Sequence, residues 1–217
     1  MEEWVMRLVL VGLMVLMVAS LVSAAGQPVS FEGMSPLKDG HKFPWFTGSD
    51  TIIYNGITFK DFIDKEIWLI WQQQTSSEEQ QWLPGNKSIG KALNGFVWTD
   101  TLYITSALSW GTTVPQGATV TTVTVVDQQG TRHTYPIQAG IHTAEWSQSA
   151  SPAHNNNLPY ILGPSTNPPW NGKEYFAAIS LGMKMIPKYI YLDYVFPGSS
   201  GGAISITAIT FNRVRSP

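Results

Sequence analysis

Residues Thr119–Trp146 read TVTTVTVVDQQGTRHTYPIQAGIHTAEW, and the rhythm of this stretch decides the fold. Val123 and Val125 alternate with Thr122 and Thr124, as side chains must in a strand whose successive residues point to opposite faces of a sheet. The valine face is expected to be buried and the threonine face wet. Asp127-Gln128-Gln129-Gly130 follows with an acceptor side chain to open a turn and a glycine that tolerates positive φ to close it. The chain then doubles back, with Tyr135 and Ile137 facing inward. Ala139-Gly140 is read as a second turn, leading to a third strand with His142, Ala144 and Trp146 on one face.

The same alternation recurs on both sides of this hairpin. Upstream, Thr51–Tyr54 and Ile57–Phe59 flank the turn dipeptide Asn55-Gly56, and Phe96–Trp98 and Thr101–Leu108 read as further strands. Downstream, Tyr175, Ala177, Ile179 and Leu181 share one face, as do Ile190, Leu192, Tyr194 and Phe196. In the final stretch Ile204 and Ile206 lie on one face but Ile209 and Phe211 on the other, so a bulge is expected near Thr207-Ala208. About eight strands at this spacing predict an all-β sandwich. Residues 59–71 fit either a helical period or a buried strand, and Gln72–Gln81 reads as an exposed loop.

The N-terminal part has a different character. Residues 8–22 form an apolar run of fifteen between Arg7 and Ser23-Ala24-Ala25. Val22 and Ala24 suit a cleavage site, and the run is short for a bilayer span of about 20 residues. Glu2 and Glu3 make its leading end acidic, so residues 1–24 are read as a signal peptide or as an uncleaved membrane anchor through residues 4–22. Both readings place the remainder outside the cytoplasm, secreted or held at a membrane. Residues 25–49, rich in Gly, Pro, Ser and Lys, are expected to form a linker or strap docked through Phe43, Trp45 and Phe46, and residues 50–217 the sandwich.

Composition narrows the functions. Of 217 residues 43% are hydrophobic, enough for one sizeable core. The 13 basic and 15 acidic side chains are mixed along the chain, and the net charge of −2 offers no footprint for nucleic acid. With no cysteine, thiol catalysis, thiolate zinc sites and disulfides are excluded. Asn86-Lys87-Ser88 is an N-glycosylation sequon for a host that modifies exported proteins.

Few side chains point to chemistry. Gly198-Ser199-Ser200-Gly201-Gly202 matches G-x-S-x-G, but a strand follows it where a nucleophile elbow needs a helix, so it reads as a turn. His142, Glu145 and His154 invite a metal reading. Strand alternation sets His142 and Glu145 on opposite faces, so no metal is assigned, and Glu145 is read as a buried carboxylate holding backbone donors or as a rim residue. Glu145, Glu174 and Asp193 show no spacing that marks a glycosidase pair. The region Ser147–Gly172, with five prolines, is long enough to be a ligand-contacting insertion. Trp170, Trp110 and Tyr160 are candidate platforms for sugar stacking, with His154, Asn156 and Glu145 as candidate hydrogen-bonding groups. Trp146 is read as core.

The succession NGITF, LYITSAL, VTVVDQQGTRHTYPIQAG followed by AEW, YFAAISL and ISITAITF resembles the galactose-binding-like jelly-roll sandwiches of exported carbohydrate-associated proteins. The resemblance runs from about Asp50 to Val214, and its most telling pieces are Asn55-Gly56 to Phe59 and Gly140 to Trp146. It implies a non-catalytic domain that binds glycans through loops at one end, often with a structural calcium. The sequence shows no acidic cluster matching such a site and no adjoining enzyme module. The resulting expectation is an exported carbohydrate-binding module directed at a glycan or a cell-surface protein. The alternative is a self-associating structural subunit of an extracellular or membrane-anchored assembly, for which the low charge leaves neutral surface.

Overall fold

The alternating pattern becomes antiparallel sheet in a computed structural model, which describes residues 26–29, 51–54, 56–60, 69–72, 88–109, 111–147, 154, 158–162, 173–195 and 203–217. Among the described residues the strands are β1 (Gln27–Pro28), β2 (Thr51–Tyr54), β3 (Ile57–Lys60), β4 (Leu69–Gln72), β5 (Ser88–Ala92) and β6 (Thr99–Ser109). They continue as β7 (Thr119–Asp127), β8 (Arg132–Gln138), β9 (Tyr160–Leu162), β10 (Lys173–Met185), β11 (Pro187–Tyr194) and β12 (Ala203–Phe211). Helical structure among these residues is a single 3-10 turn, Gly111–Thr113.

Two sheets form the body. One runs β1-β12-β6-β10-β9, with β4 also on β12, and the other runs β5-β11-β7-β8. The flank of β12 is shared end to end: β4 covers Ala203–Ile206 and β1 covers Thr210–Phe211. The pairings also nest along the sequence. β4 pairs with β12, β5 with β11, β6 with β10 and β7 with β8, so each antiparallel pair encloses the next.

An apolar core lies between the sheets. Leu102, Ile104, Leu108, Ala177, Ile179, Leu181, Ile204, Ile206, Ile209 and Phe211 from one sheet meet Val123, Val125, Ile137, Ile190 and Leu192 from the other. Tyr135 crosses between the sheets, donating its hydroxyl to the carbonyl of Leu181 at 3.0 Å. The bulge expected near Thr207-Ala208 is present, since the β12–β6 register shifts between Ile206 and Ala208. That extra residue is what lets both Ile206 and Ile209 reach the core. On the outer side of the same sheet, Tyr103 and Phe176 stack at 5.7 Å beside Ala208 and Ile57 of the β2–β3 hairpin.

The hairpin that decides the fold is well specified. Gly130 adopts φ 85°, the Gly130 amide donates to the Asp127 carbonyl, and the Thr131 amide donates to Asp127 Oδ1 at 2.8 Å. His133 Nε2 lies 2.9 Å from Asp127 Oδ2.

Several expectations are corrected. Phe96–Trp98 is not strand; the Val97 amide instead donates to the buried Gln27 side chain at 2.7 Å. No third strand follows β8. Gly140 takes φ 72°, its amide donates to the Thr143 carbonyl, and the chain leaves the hairpin in a tight turn that leads to the other sheet. There Leu108 pairs with Glu145 in an isolated parallel bridge. Trp146 is half-buried, not core. The threonine face of β7 is drier than alternation implies, with Thr124 and Val126 both buried. β7 is an inner strand, and the tyrosines of β11 stand in register beside these two residues. The 59–71 ambiguity resolves as strand from Leu69, and the irregular region contains β9. Residues 26–29 of the strap join the body: Val29 is fully buried in the core. Residues 1–24, Phe43, Trp45, Phe46, Gln73–Gln81, Asn86 and Gly198–Gly202 lie outside the described residues.

Phe211, fully buried and edge-on to Phe96 at 5.7 Å, tests the core. Phe211→Ala is expected to cost about 3–5 kcal/mol in urea unfolding. Met183→Ala, at an exposed position, should stay within about 0.5 kcal/mol of the parent.

Candidate functional site

The structure divides the residues singled out from the sequence. Trp110, Asn156 and Trp170 lie outside the described residues. Glu145, His154 and Tyr160 gather at the end of the sandwich where β6 leaves and β10 begins, but two of them turn inward. Glu145 is buried, accepting the Gly111 amide at 2.6 Å and the Ser147 amide at 3.4 Å. This carboxylate closes the short helical turn against the bridge at Leu108, as a holder of backbone donors. His154 is buried with Nε2 2.7 Å from the Val114 carbonyl, which ties it to the same turn.

Tyr160 is different. It is 41% exposed, its ring meets that of Tyr175 edge-on at 6.3 Å, and Lys173 Nζ sits 4.8 Å from its centroid. Tyr175 is buried and donates its hydroxyl to the Glu145 carbonyl at 2.8 Å. Burial, then the Glu145 and Tyr160 charges, push the Tyr175 phenol up to about 12. Burial also raises the Glu145 carboxyl above its usual range, against the opposing pull of the Gly111 and Ser147 amides. Burial lowers the His142 imidazole. The cluster is therefore mostly a structural staple with one exposed ring at its margin. Among the described residues no group of three His, Asp or Glu side chains converges as metal ligands, so the calcium implied by the resemblance has no acidic cradle there.

A second surface was not among the residues chosen from the sequence. On β11, Ile190 and Leu192 point into the core, so Tyr189, Tyr191 and Asp193 point away from it. The rings of Tyr189 and Tyr191 lie 6.5 Å apart, inclined by 28°, as a two-ring stack along the strand. Tyr191 stands in register with Gly90 on one side and Thr124 on the other, and Thr124 with Thr134. The Thr124 and Thr134 hydroxyls are 2.9 Å apart. Asp193 lies one step further, between Ser88 and Thr122.

The small residues of β5 explain why the rings lie where they do. A Cβ added at Gly90 would sit 2.4 Å from Tyr191 Cε1, so the ring rests against bare backbone that any side chain would displace. Such cross-strand cover of an edge glycine also stabilises the sheet. Arg132 lies at the far edge, its guanidinium carbon 4.9 Å from the Tyr191 centroid, and Lys188 Nζ is 5.6 Å from that of Tyr189. The outer face of the four-stranded sheet thus carries two half-buried aromatic rings, a row of hydroxyls, and charged groups at its margins.

No family model, characterised protein or solved structure matches this chain. The functional reading therefore rests on these residues themselves. The sequence signal for this face was present in the alternation of Tyr189, Ile190, Tyr191 and Leu192, but a tyrosine in a strand carries no mark of exposure until the register with Gly90 is known.

Glu145 gives a pH signature. Because its folded pKa is raised, the stability it contributes is full below the ordinary carboxyl value of 4.5 and falls as pH rises through the folded value. Glu145→Gln keeps a carbonyl acceptor for Gly111 and removes the titration. The difference in melting temperature between parent and variant, followed by differential scanning calorimetry, should move in the variant's favour as pH rises through that interval. Asp127, held low by its hydrogen bonds with His133 and Thr131 despite the opposing effect of burial, loses its stabilisation as pH falls. It is common to both proteins, so it drops out of the comparison.

Proposed function

We propose that the chain is an exported, non-catalytic carbohydrate-binding module with a jelly-roll sandwich of the galactose-binding-like kind. The nested pairs β4–β12, β5–β11, β6–β10 and β7–β8 support the jelly-roll reading, since that architecture wraps eight strands as concentric antiparallel pairs in two sheets. Residues 1–24 serve in this reading as the export signal or retained anchor, which leaves the sandwich facing extracellular glycans.

The observation that carries the binding reading is the Tyr189–Tyr191 stack, beside which Thr134 is exposed and its hydroxyl is braced by that of the buried Thr124. A pyranose presents an apolar C–H face and a rim of hydroxyls. The first suits an aromatic ring and the second suits the exposed Thr134 hydroxyl and Asp193. The rings sit on a strand held in register on both sides, so little conformational entropy is lost when a sugar settles on them. The recognition surface in this reading is the sheet face, in place of the loops at one end that the resemblance implies.

A glycan array followed by isothermal titration calorimetry tests this. Wild-type protein should bind at least one polysaccharide, and Tyr191→Ala and Tyr189→Ala should each weaken it by about tenfold, or about 1.4 kcal/mol. Thermal unfolding of each variant checks that the fold is kept. Silence of the folded wild-type protein across the array, or unchanged affinity in both variants, overturns the reading.

A further inference from the structure

The charged groups around the tyrosine stack are not balanced. Arg132 and Lys188 both reach the rings, Arg132 from the edge strand β8 and Lys188 from the second position of β11, where the register with β7 shifts. Both are exposed, and among the described residues neither has a carboxylate within ion-pair distance. The nearby acid Asp127 is already engaged by His133 and the Thr131 amide. Asp193, the acid on the stack's own face, lies beyond Tyr191 in the row of Ser88 and Thr122, whereas Arg132 stands in the row of Tyr189 and Val126. The face is polarised, with cations over the rings and an acid past their end.

We propose that this face selects anionic sugars, specifically chains of uronate residues, with ring faces on Tyr189 and Tyr191 and carboxylates taken by Arg132 and Lys188. The inference rests on the carbohydrate-binding reading of the same face and adds the charge of its ligand. Neutral sugars satisfy the rings and hydroxyls but leave both cations without a counter-charge. A carboxylate matches the planar fork of a guanidinium in two parallel hydrogen bonds, and the Lys188 ammonium adds a second positive charge nearby. Asp193 repels a carboxylate at the opposite end of the row, which fixes the direction in which a uronate lies.

The test uses the purified protein with polygalacturonate, alginate and hyaluronate, each beside its carboxyl-reduced neutral form, and with dextran sulfate as a polyanion lacking uronate. At least one uronate polymer should bind about tenfold more tightly than its reduced counterpart, the scale of one charge-assisted hydrogen bond at a partly exposed site. Arg132→Gln should remove most of that preference while the protein stays folded, losing no more stability than its ring contact supplies, Lys188→Gln should remove part of it, and Arg132→Lys should restore it only partly. The preference should also shrink as salt rises. Equal affinity for acidic and reduced chains, with Arg132→Gln without effect, overturns the anionic selectivity and leaves carbohydrate binding standing. Equal binding of dextran sulfate, insensitive to Tyr191→Ala, overturns it as well, because charge alone would then account for the interaction. Failure of the folded protein to bind any of these chains, neutral or acidic, overturns both readings together.

Discussion

The register of β11 against β7 is the constraint on which the rest depends. Ile190 pairs with Val125 and Leu192 with Val123, and all four side chains lie in the core. Once these are inside, Tyr189, Tyr191 and Asp193 have no choice but to face out. A slip of one residue would bury the tyrosines and expose the isoleucine and leucine, at about 1.5–3 kcal/mol for each large aliphatic side chain brought into water. The core and the candidate binding face are therefore two sides of one alternation, and the energy that holds the first also positions the second.

Without disulfides, the ends of the sandwich are tied by buried and part-buried hydrogen bonds. At one end Asn212 Oδ1 accepts from Thr99 Oγ1, the Asp100 amide and the Thr101 amide, while its Nδ2 donates to Asp100 Oδ1. Gln27 completes this latch, donating to the Asn212 carbonyl and accepting from the Val97 amide. At the other end Glu145 and His154 hold the Gly111–Val114 turn. In both places an amide, carboxylate or imidazole satisfies backbone groups that the strands leave open, which is worth about 0.5–1.5 kcal/mol per neutral bond but costs more if the partner is lost. The residues that looked most like site chemistry in the sequence are, in the case of Glu145 and His154, occupied in this way. Edges are protected by different means: β8 carries Pro136 without an amide to offer, and β9 is three residues long.

What was legible in the sequence was whatever depended on period two. The central hairpin, the inward faces of β10, β11 and β12, and the bulge at Thr207-Ala208 all follow from which positions are apolar. The errors came where a backbone partner, not a side-chain pattern, decides. Val97 lies in a stretch of good strand formers, yet its amide goes to Gln27, a residue some seventy positions away in sequence. The stretch after Gly140 alternates as a strand should, but Gln116 packs where a Cβ at that position would lie, and the turn sends the chain across to β6. The tyrosine face was hidden for a similar reason. Its significance depends on Gly90 lying opposite Tyr191, a pairing between strands about a hundred residues apart that no local pattern announces.

The position of Arg132 over Tyr191 bears on whether the face is free to bind anything. A guanidinium on a ring that is only half-buried contributes about 0.5–1 kcal/mol, and that contact must be given up if a sugar is to take the ring. For a neutral sugar the loss is uncompensated at Arg132, which returns to water. For a sugar bearing a carboxylate, the displaced guanidinium gains a charge-assisted pair worth about 1.5–3 kcal/mol, more than the contact it leaves. In the proposed reading Arg132 would act against ligands that offer only a ring and in favour of those that offer a ring and an anion, and Lys188 over Tyr189 would bias the adjoining position the same way. On that proposal, the cations that shade the rings in the free protein are the groups through which the face would discriminate.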